Sequence, residues 1–132
     1  MKTFFVGVKG FIRDERGILL IRHNEGHWDI PGGRMDGNET FEDTLRREIA
    51  EEVAGAELLA LEELQGATRL QKDIKDNISL VLIYFLVDAK LPETIDLGDE
   101  HAAIRWINRE DDIPNDDIHP KIVEILNRLL KK

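Results

Sequence analysis

Cysteine is absent from the chain, which excludes a disulfide framework, a thiol nucleophile and a thiolate metal site. Basic residues are in the minority, 18 Lys and Arg against 27 Asp and Glu, for a net charge of −9. Nonspecific binding to DNA, RNA or an anionic membrane relies on Lys and Arg neutralising phosphates, so this balance argues against nucleic-acid polymers and membranes as partners. Small phosphate-containing ligands stay open, because a bound metal supplies positive charge locally. No apolar run reaches the roughly 18 to 20 residues that a membrane helix needs, and the first ten residues, MKTFFVGVKG, are too short and too interrupted for a signal peptide. A cytoplasmic location is the expectation. Internal repeats, low-complexity tracts and linkers are also missing.

What is present suits one domain spanning residues 1–132, since 42% hydrophobic content builds a core at that length. Residues 3–13 and 17–23 read as strands joined by the turn Asp14-Glu15-Arg16-Gly17. Residues 56–70 read as one extended strand with a break at Gly66, and the polar stretch from Gln71 to Asn77 as a turn. Residues 78–87, β-branched and aromatic, read as a strand buried on both faces. A short strand over 103–108 and an amphipathic helix over 120–130, carried by Ile122, Ile125, Leu126 and Leu129, complete the chain. Lys131 and Lys132 complement the negative end of that helix. Strands around one long helix and ending in another indicate an α/β fold with a mixed sheet between helices.

The long helix is expected over about 40–53. Thr40 and Asp43 form a capping-box-like start, and Phe41, Leu45, Ile49 and Val53 make an apolar stripe. Beside that stripe, Glu48, Glu51 and Glu52 are related by i,i+3 and i,i+4 spacing and crowd one surface. Arg47 offsets part of the repulsion through its i,i+4 relation to Glu51, whereas Glu48 and Glu52 have no cation at such spacing. An all-carboxylate site suits a hard cation, Mg²⁺ or Mn²⁺. The alternative is a solvated acidic face. Upstream, Pro31, Gly32 and Gly33 break regular structure and let backbone approach a ligand, and Gly37-Asn38 lets the loop fold back before the helix.

From Gly33 the chain reads GRMDGNETFEDTLRREIAEE, and this segment resembles the Nudix box. Gly33, Glu39, Arg47, Glu48, Ile49, Glu51 and Glu52 match that family's pattern in type and spacing. The departure is at the end, where Ala54-Gly55 stands in place of Gly and an aliphatic residue. Gly55 is still expected to serve as the left-handed residue that ends the helix, one position late. The resemblance implies a Nudix-type α/β/α sandwich and metal-dependent hydrolysis of a phosphoanhydride bond in a nucleoside diphosphate linked to another moiety, of the nucleoside triphosphate or nucleotide sugar class. It implies Glu48 and Glu52 as principal metal ligands, Glu51 as a third or water-mediated one, and the carbonyl of Gly32 as a further ligand. Arg47 would orient the glutamates, its alternative being an ion pair with Asp43 or Glu51.

A further carboxylate is expected from the segment Gly98-Asp99-Glu100-His101, with Glu100 favoured over an ordinary acidic loop. Glu48, Glu51 and Glu100 are all candidates for the general base. Arg22, His23 and Arg34 are candidate phosphate contacts, Trp28 either stacks on a base or packs in the core, Trp106 reads as core, and the 71–77 loop is expected to border the pocket. The other class of reading is a Nudix-fold protein that binds a nucleotide without turnover, favoured only by the Ala54-Gly55 ending. Isoprenoid diphosphate isomerisation is disfavoured by the absence of cysteine. The resemblance also admits a homodimer.

Overall fold

In the computed structural model, which describes residues 1–99 and 101–131, the chain folds into seven strands and two α-helices. Strands β1 (Thr3–Asp14) and β2 (Gly17–His23) form the expected hairpin, closed by Asp14, whose carboxylate accepts the Arg16 amide at 2.8 Å. Two short strands follow, β3 (Trp28–Asp29) and β4 (Gly32–Arg34), and then helix α1 (Phe41–Glu52). After it come β5 (Glu57–Arg69), β6 (Ile78–Lys90), β7 (His101–Ile107) and helix α2 (Pro120–Leu130).

The sheet is mixed. β1 runs parallel to β6 from the pair Thr3↔Ile78 to Ile12↔Val87, while β5 lies antiparallel on the other side of β6. β1 serves two partners along its opposite edge, β4 through Gly7 to Lys9 and β2 through Arg13 and Asp14, and β2 is flanked by β3 and β7. A parallel neighbour needs a crossover, and the segment carrying β4, α1 and β5 supplies it.

Side chains alternate across the sheet and build a core on each face. Leu19 and Ile21 of β2 pack with Val8, Ile12 and Val87 under Leu45 and Ile49 of α1. Ile18 and Leu20 pack with Phe11, Tyr84 and Ile107 under Ile122, Ile125, Leu126 and Leu129 of α2. Burying each of these aliphatic side chains is worth about 1.5–3 kcal/mol, which holds both helices to the sheet. The result is the α/β/α sandwich expected from the sequence. Among the described residues no helix is long and apolar enough to cross a membrane.

Helix α1 begins as expected. The Thr40 hydroxyl accepts the Asp43 amide and the Asp43 carboxylate accepts the Thr40 amide, both at 3.1 Å. It ends at Glu52, with buried Val53 as an extended C-cap and Gly55 at φ +84° in the turn that follows. Leu45, Ile49 and Val53 form the buried stripe, whereas Phe41 is 37% exposed and leans on Phe85 at 5.7 Å.

Other features differ from the sequence reading. The Pro31-Gly33 segment is no simple break, because Gly32–Arg34 hydrogen-bond to β1 as β4. The break read at Gly66 is, by contrast, present as one of the register shifts within the single strand β5, between Leu64 and Gly66. Strand β6 is half-buried along most of its length instead of covered on both faces. A helix of 12 residues is about 18 Å long and a strand of 13 about 43 Å, so α1 and α2 cover only part of it. Glu110–Asp112 adds a 3₁₀ turn, and Lys131 is the C-cap of α2, while Lys132 lies outside the described residues.

Candidate metal and nucleotide site

Strand β4 carries the Pro31-Gly33 segment onto the acidic face of α1. The Gly32 amide donates to Glu52 Oε1 at 3.2 Å. Gly33 packs against Glu48 so closely that a Cβ there would overlap the carboxylate carbon. The absence of a side chain at 33 is what lets Glu48 lie in place. Gly33→Ala is therefore expected to push the Glu48 carboxylate aside and reduce kcat/KM by about 10²-fold, with little change in the thermal midpoint. Steady-state kinetics and a melting curve on the same preparation check this.

Arg47 holds the cluster together. Its Nε and Nη2 donate to the two oxygens of Glu39 at 2.8 and 2.9 Å, its Nη1 donates to Glu48 Oε1 at 2.6 Å, and Nη2 also reaches the Arg34 carbonyl at 3.1 Å. Glu39 also accepts the Asp36 amide at 2.8 Å and the Thr44 hydroxyl at 3.1 Å. The Arg47 guanidinium, with these further donors, holds the Glu39 carboxyl down at about 2. Of the two ion pairs named as alternatives for Arg47, Glu51 stands at 3.8 Å and Asp43 is engaged in the helix cap. The Glu51 pair is thus present beside the closer, long-range pairing with Glu39, and only the Asp43 pair is replaced.

The three glutamates are not equivalent. Glu51 has a 61% exposed side chain, Glu48 only 17%. Burial pushes the Glu52 carboxyl up to about 7; nearby Glu48 and Asp29 add to the rise, and Lys9 and the Gly32 amide oppose it. Asp29 is itself paired with Lys9, at 2.8 Å.

Two cavities meet at Glu48. One, of about 380 Å³, is lined by His23, Glu48, Glu51, Glu52, Leu97, Gly98 and Asp99. The other, of about 560 Å³, is lined by Phe5, Arg34, Met35, Asp36, Arg47 and Glu48. One wall is thus acidic and the neighbouring rim carries two guanidinium groups, an arrangement suited to a cation shared with a polyphosphate.

The structure brings Glu48, Glu51, Glu52, Gly32, Arg47, His23 and Arg34 together around these cavities. Arg22 is on the opposite face of β2 from His23, 5.9 Å from the Trp28 ring. Trp28 is 9% exposed in the α2-side core and also forms a wall of a third recess, of about 360 Å³, with Leu82, Tyr84 and Ile122. Trp106 packs partly buried on the α1-side core, as read. Ile74 and Lys75 of the 71–77 loop line a recess with Phe5 and Arg34. Glu100 lies outside the described residues, although Leu97, Gly98 and Asp99 just before it line the acidic cavity. Sequence reasoning missed Lys9, Asp29 and Tyr84. Lys9 and Asp29 lie on separate strands with no motif between them, and the Tyr84 hydroxyl is notable only for being buried, among the described residues, with no hydrogen-bond partner.

Comparison with known proteins identifies the family and the fold. The family model described as NUDIX domain matches residues 3–129. The chain is 31% identical over 123 residues to the putative nudix hydrolase 6 of Caenorhabditis elegans, covering 83% of this chain and 47% of that protein. It is 31% identical over 113 residues to the putative 8-oxo-dGTP diphosphatase 3 of Mycobacterium tuberculosis, covering 83% and 50%. The chain thus spans about half the length of these relatives. The crystal structure of a MutT protein from Methanosarcina mazei superposes with a TM-score of 0.78 at 22% identity, over 98% of this chain and 95% of that one, and shares the fold. The matched span takes in α1, the whole sheet, α2 but for its last residue, and the Glu39–Arg47–Glu48–Glu52 constellation, and the chain belongs to the Nudix domain family.

Proposed function

We propose that the chain hydrolyses a phosphoanhydride bond in a nucleoside triphosphate or a nucleotide sugar, with Mg²⁺ or Mn²⁺ as cofactor. The observation that carries this is the convergence of Glu48 and Glu52, braced by Arg47 and Gly32, where two cavities meet. The donor set fits a hard cation, being made of oxygen ligands, two of them the neighbouring carboxylates of Glu48 and Glu52. Glu48, Glu52 and the Gly32 carbonyl would hold the ion, with Glu51 contributing directly or through water. Bound there, a divalent ion supplies the charge that polarises phosphate oxygens and offsets the charge developing on them.

The chain's own groups supply the rest. Arg47 orients Glu48 by a charge-assisted hydrogen bond. Arg34 and His23 line the cavities on the two sides of Glu48 and would receive phosphate oxygens in this reading. Of the candidate bases, Glu48 is tied to Arg47, and Glu100 lies outside the described residues. Glu51 lines the same cavity with an exposed carboxylate and takes the proton from the attacking water in this reading. The nucleoside end is assigned to the recess of Trp28, Leu82, Tyr84 and Ile122, where aromatic walls and an unpartnered hydroxyl suit a heterocycle. The triphosphate class is placed first because the M. tuberculosis relative is named for such a substrate.

The test is phosphate or pyrophosphate release from a panel of nucleoside triphosphates, nucleotide sugars, ADP-ribose and dinucleoside polyphosphates, each with Mg²⁺, Mn²⁺ or chelator. Turnover of triphosphates that disappears with chelator is the expected result. Metal-dependent binding with no turnover across the panel would sink it and leave a nucleotide-binding protein.

A further inference from the structure

The hairpin between β2 and β3 carries a second set of metal-ligating side chains, none of them shared with the carboxylates of α1. Their placement follows from strand register. Ile21 pairs with Asp29 and Arg22 with Trp28. The His23 amide donates to the His27 carbonyl at 2.9 Å, so position 23 stands opposite 27. Residues directly opposite share a face with Cβ atoms about 4.5–5.5 Å apart, as do residues two apart along one strand. His23, His27 and Asp29 therefore project from one side of the ribbon, and Arg22 and Trp28 from the other.

Side-chain geometry agrees with the register. The two imidazoles stack with centroids 4.5 Å apart and planes 18° from parallel, and His23 Nε2 is 3.8 Å from Asp29 Oδ2. One ligand atom from each of the three residues lies within 4.8 Å of the others. Tetrahedral coordination at 2.0–2.1 Å puts ligand atoms about 3.3 Å apart. His23 and Asp29 are near that separation, and His27, exposed at the hairpin end, closes the remainder by side-chain rotation. The Ile30 amide donates to Asp29 Oδ1 at 2.8 Å and fixes the carboxylate, the outer support that metal ligands commonly have.

We propose that His23, His27 and Asp29 form a site for a borderline transition-metal ion, Zn²⁺ or an equivalent divalent ion. Two imidazoles and a carboxylate select such ions, whereas Mg²⁺ favours oxygen donors alone. The site competes with Lys9, whose ammonium lies 2.8 Å from Asp29 Oδ2. Because His23 also lines the acidic cavity, occupation of this site bears on the hydrolytic one.

The experiment titrates the purified chain with Zn²⁺ by calorimetry and with Co²⁺ by visible absorption, both under excess Mg²⁺. One equivalent is expected to bind, with the intense visible bands of low-coordinate Co²⁺. His27→Ala is expected to weaken binding at least tenfold. Lys9→Met is expected to strengthen it, and Glu52→Gln to leave it unchanged. Wild-type affinity in His27→Ala overturns the site, and so does loss of Co²⁺ binding in Glu52→Gln, which assigns the ion to the helix carboxylates instead.

Discussion

Glu52→Gln is expected to lower kcat/KM by about 10²–10³-fold while making the metal-free protein more stable above neutral pH. The activity loss is the size seen when one group that stabilises developing charge is deleted, about 3–4 kcal/mol of barrier. The gain in stability comes from titration. The Glu52 carboxyl stands at about 7 in the folded chain against an ordinary value of 4.5, burial being the first cause. Below pH 4.5 it is protonated in both states and has no effect on folding. Between 4.5 and 7 the unfolded chain ionises first, so the folded state loses stability as pH rises, and the loss is complete above 7. Its size is of order 3 kcal/mol. The neutral amide of the variant does not titrate and escapes this penalty. Urea unfolding of both proteins with chelator, at pH 4 and pH 8, should show matching stabilities at the lower pH and a more stable variant at the higher. Adding Mg²⁺ at pH 8 should stabilise the wild type and leave the variant unmoved. A variant that keeps Mg²⁺-dependent turnover removes Glu52 from the proposed ligand set.

That penalty was half visible in the sequence. Helical spacing put Glu48, Glu51 and Glu52 on one surface without enough cations, but spacing treats the three alike. Only the fold separates them, because β4 lies over Glu48 and Glu52 and leaves Glu51 in solvent. The same division holds for the fold. Local signals such as the Thr40 capping box and the Asp14–Gly17 turn were readable because they depend on residues a few positions apart. The pairing of Gly32–Arg34 with β1 depends on a strand more than twenty residues away, and glycines carry no pattern that announces a strand. The Lys9–Asp29 pair and the recess at Tyr84 are likewise products of tertiary contact between strands that no local rule relates. Trp28 had two readings, stacking surface or core, and the fold makes it a wall of both core and recess.

Arg47 offers the second large effect. Reading its neighbours along the helix pointed to Asp43 or Glu51, yet its strongest contacts are a two-pronged grip on Glu39, eight residues earlier, and a short bond to Glu48. One side chain thereby ties the loop before α1 to the carboxylate expected to bind metal, and through the Arg34 carbonyl it ties in β4 as well. Arg47→Ala is expected to reduce metal affinity and kcat/KM by about 10–100-fold, the range for losing a group that orients a ligand. Arg47→Lys should recover little of it, since an ammonium cannot make the paired bonds to Glu39 and still reach Glu48. A surface ion pair of small consequence would instead leave the Lys variant near wild type. The pH dependence adds a readout independent of turnover. Glu39 is held at about 2 by Arg47 first of all, so the stability it contributes is present above the ordinary 4.5 and is lost as pH falls toward 2. The stability deficit of Arg47→Ala relative to wild type should therefore be full at pH 6 and shrink as the pH is lowered through that window. A deficit that stays constant down to acid pH would mean that Arg47 acts by packing and not through Glu39.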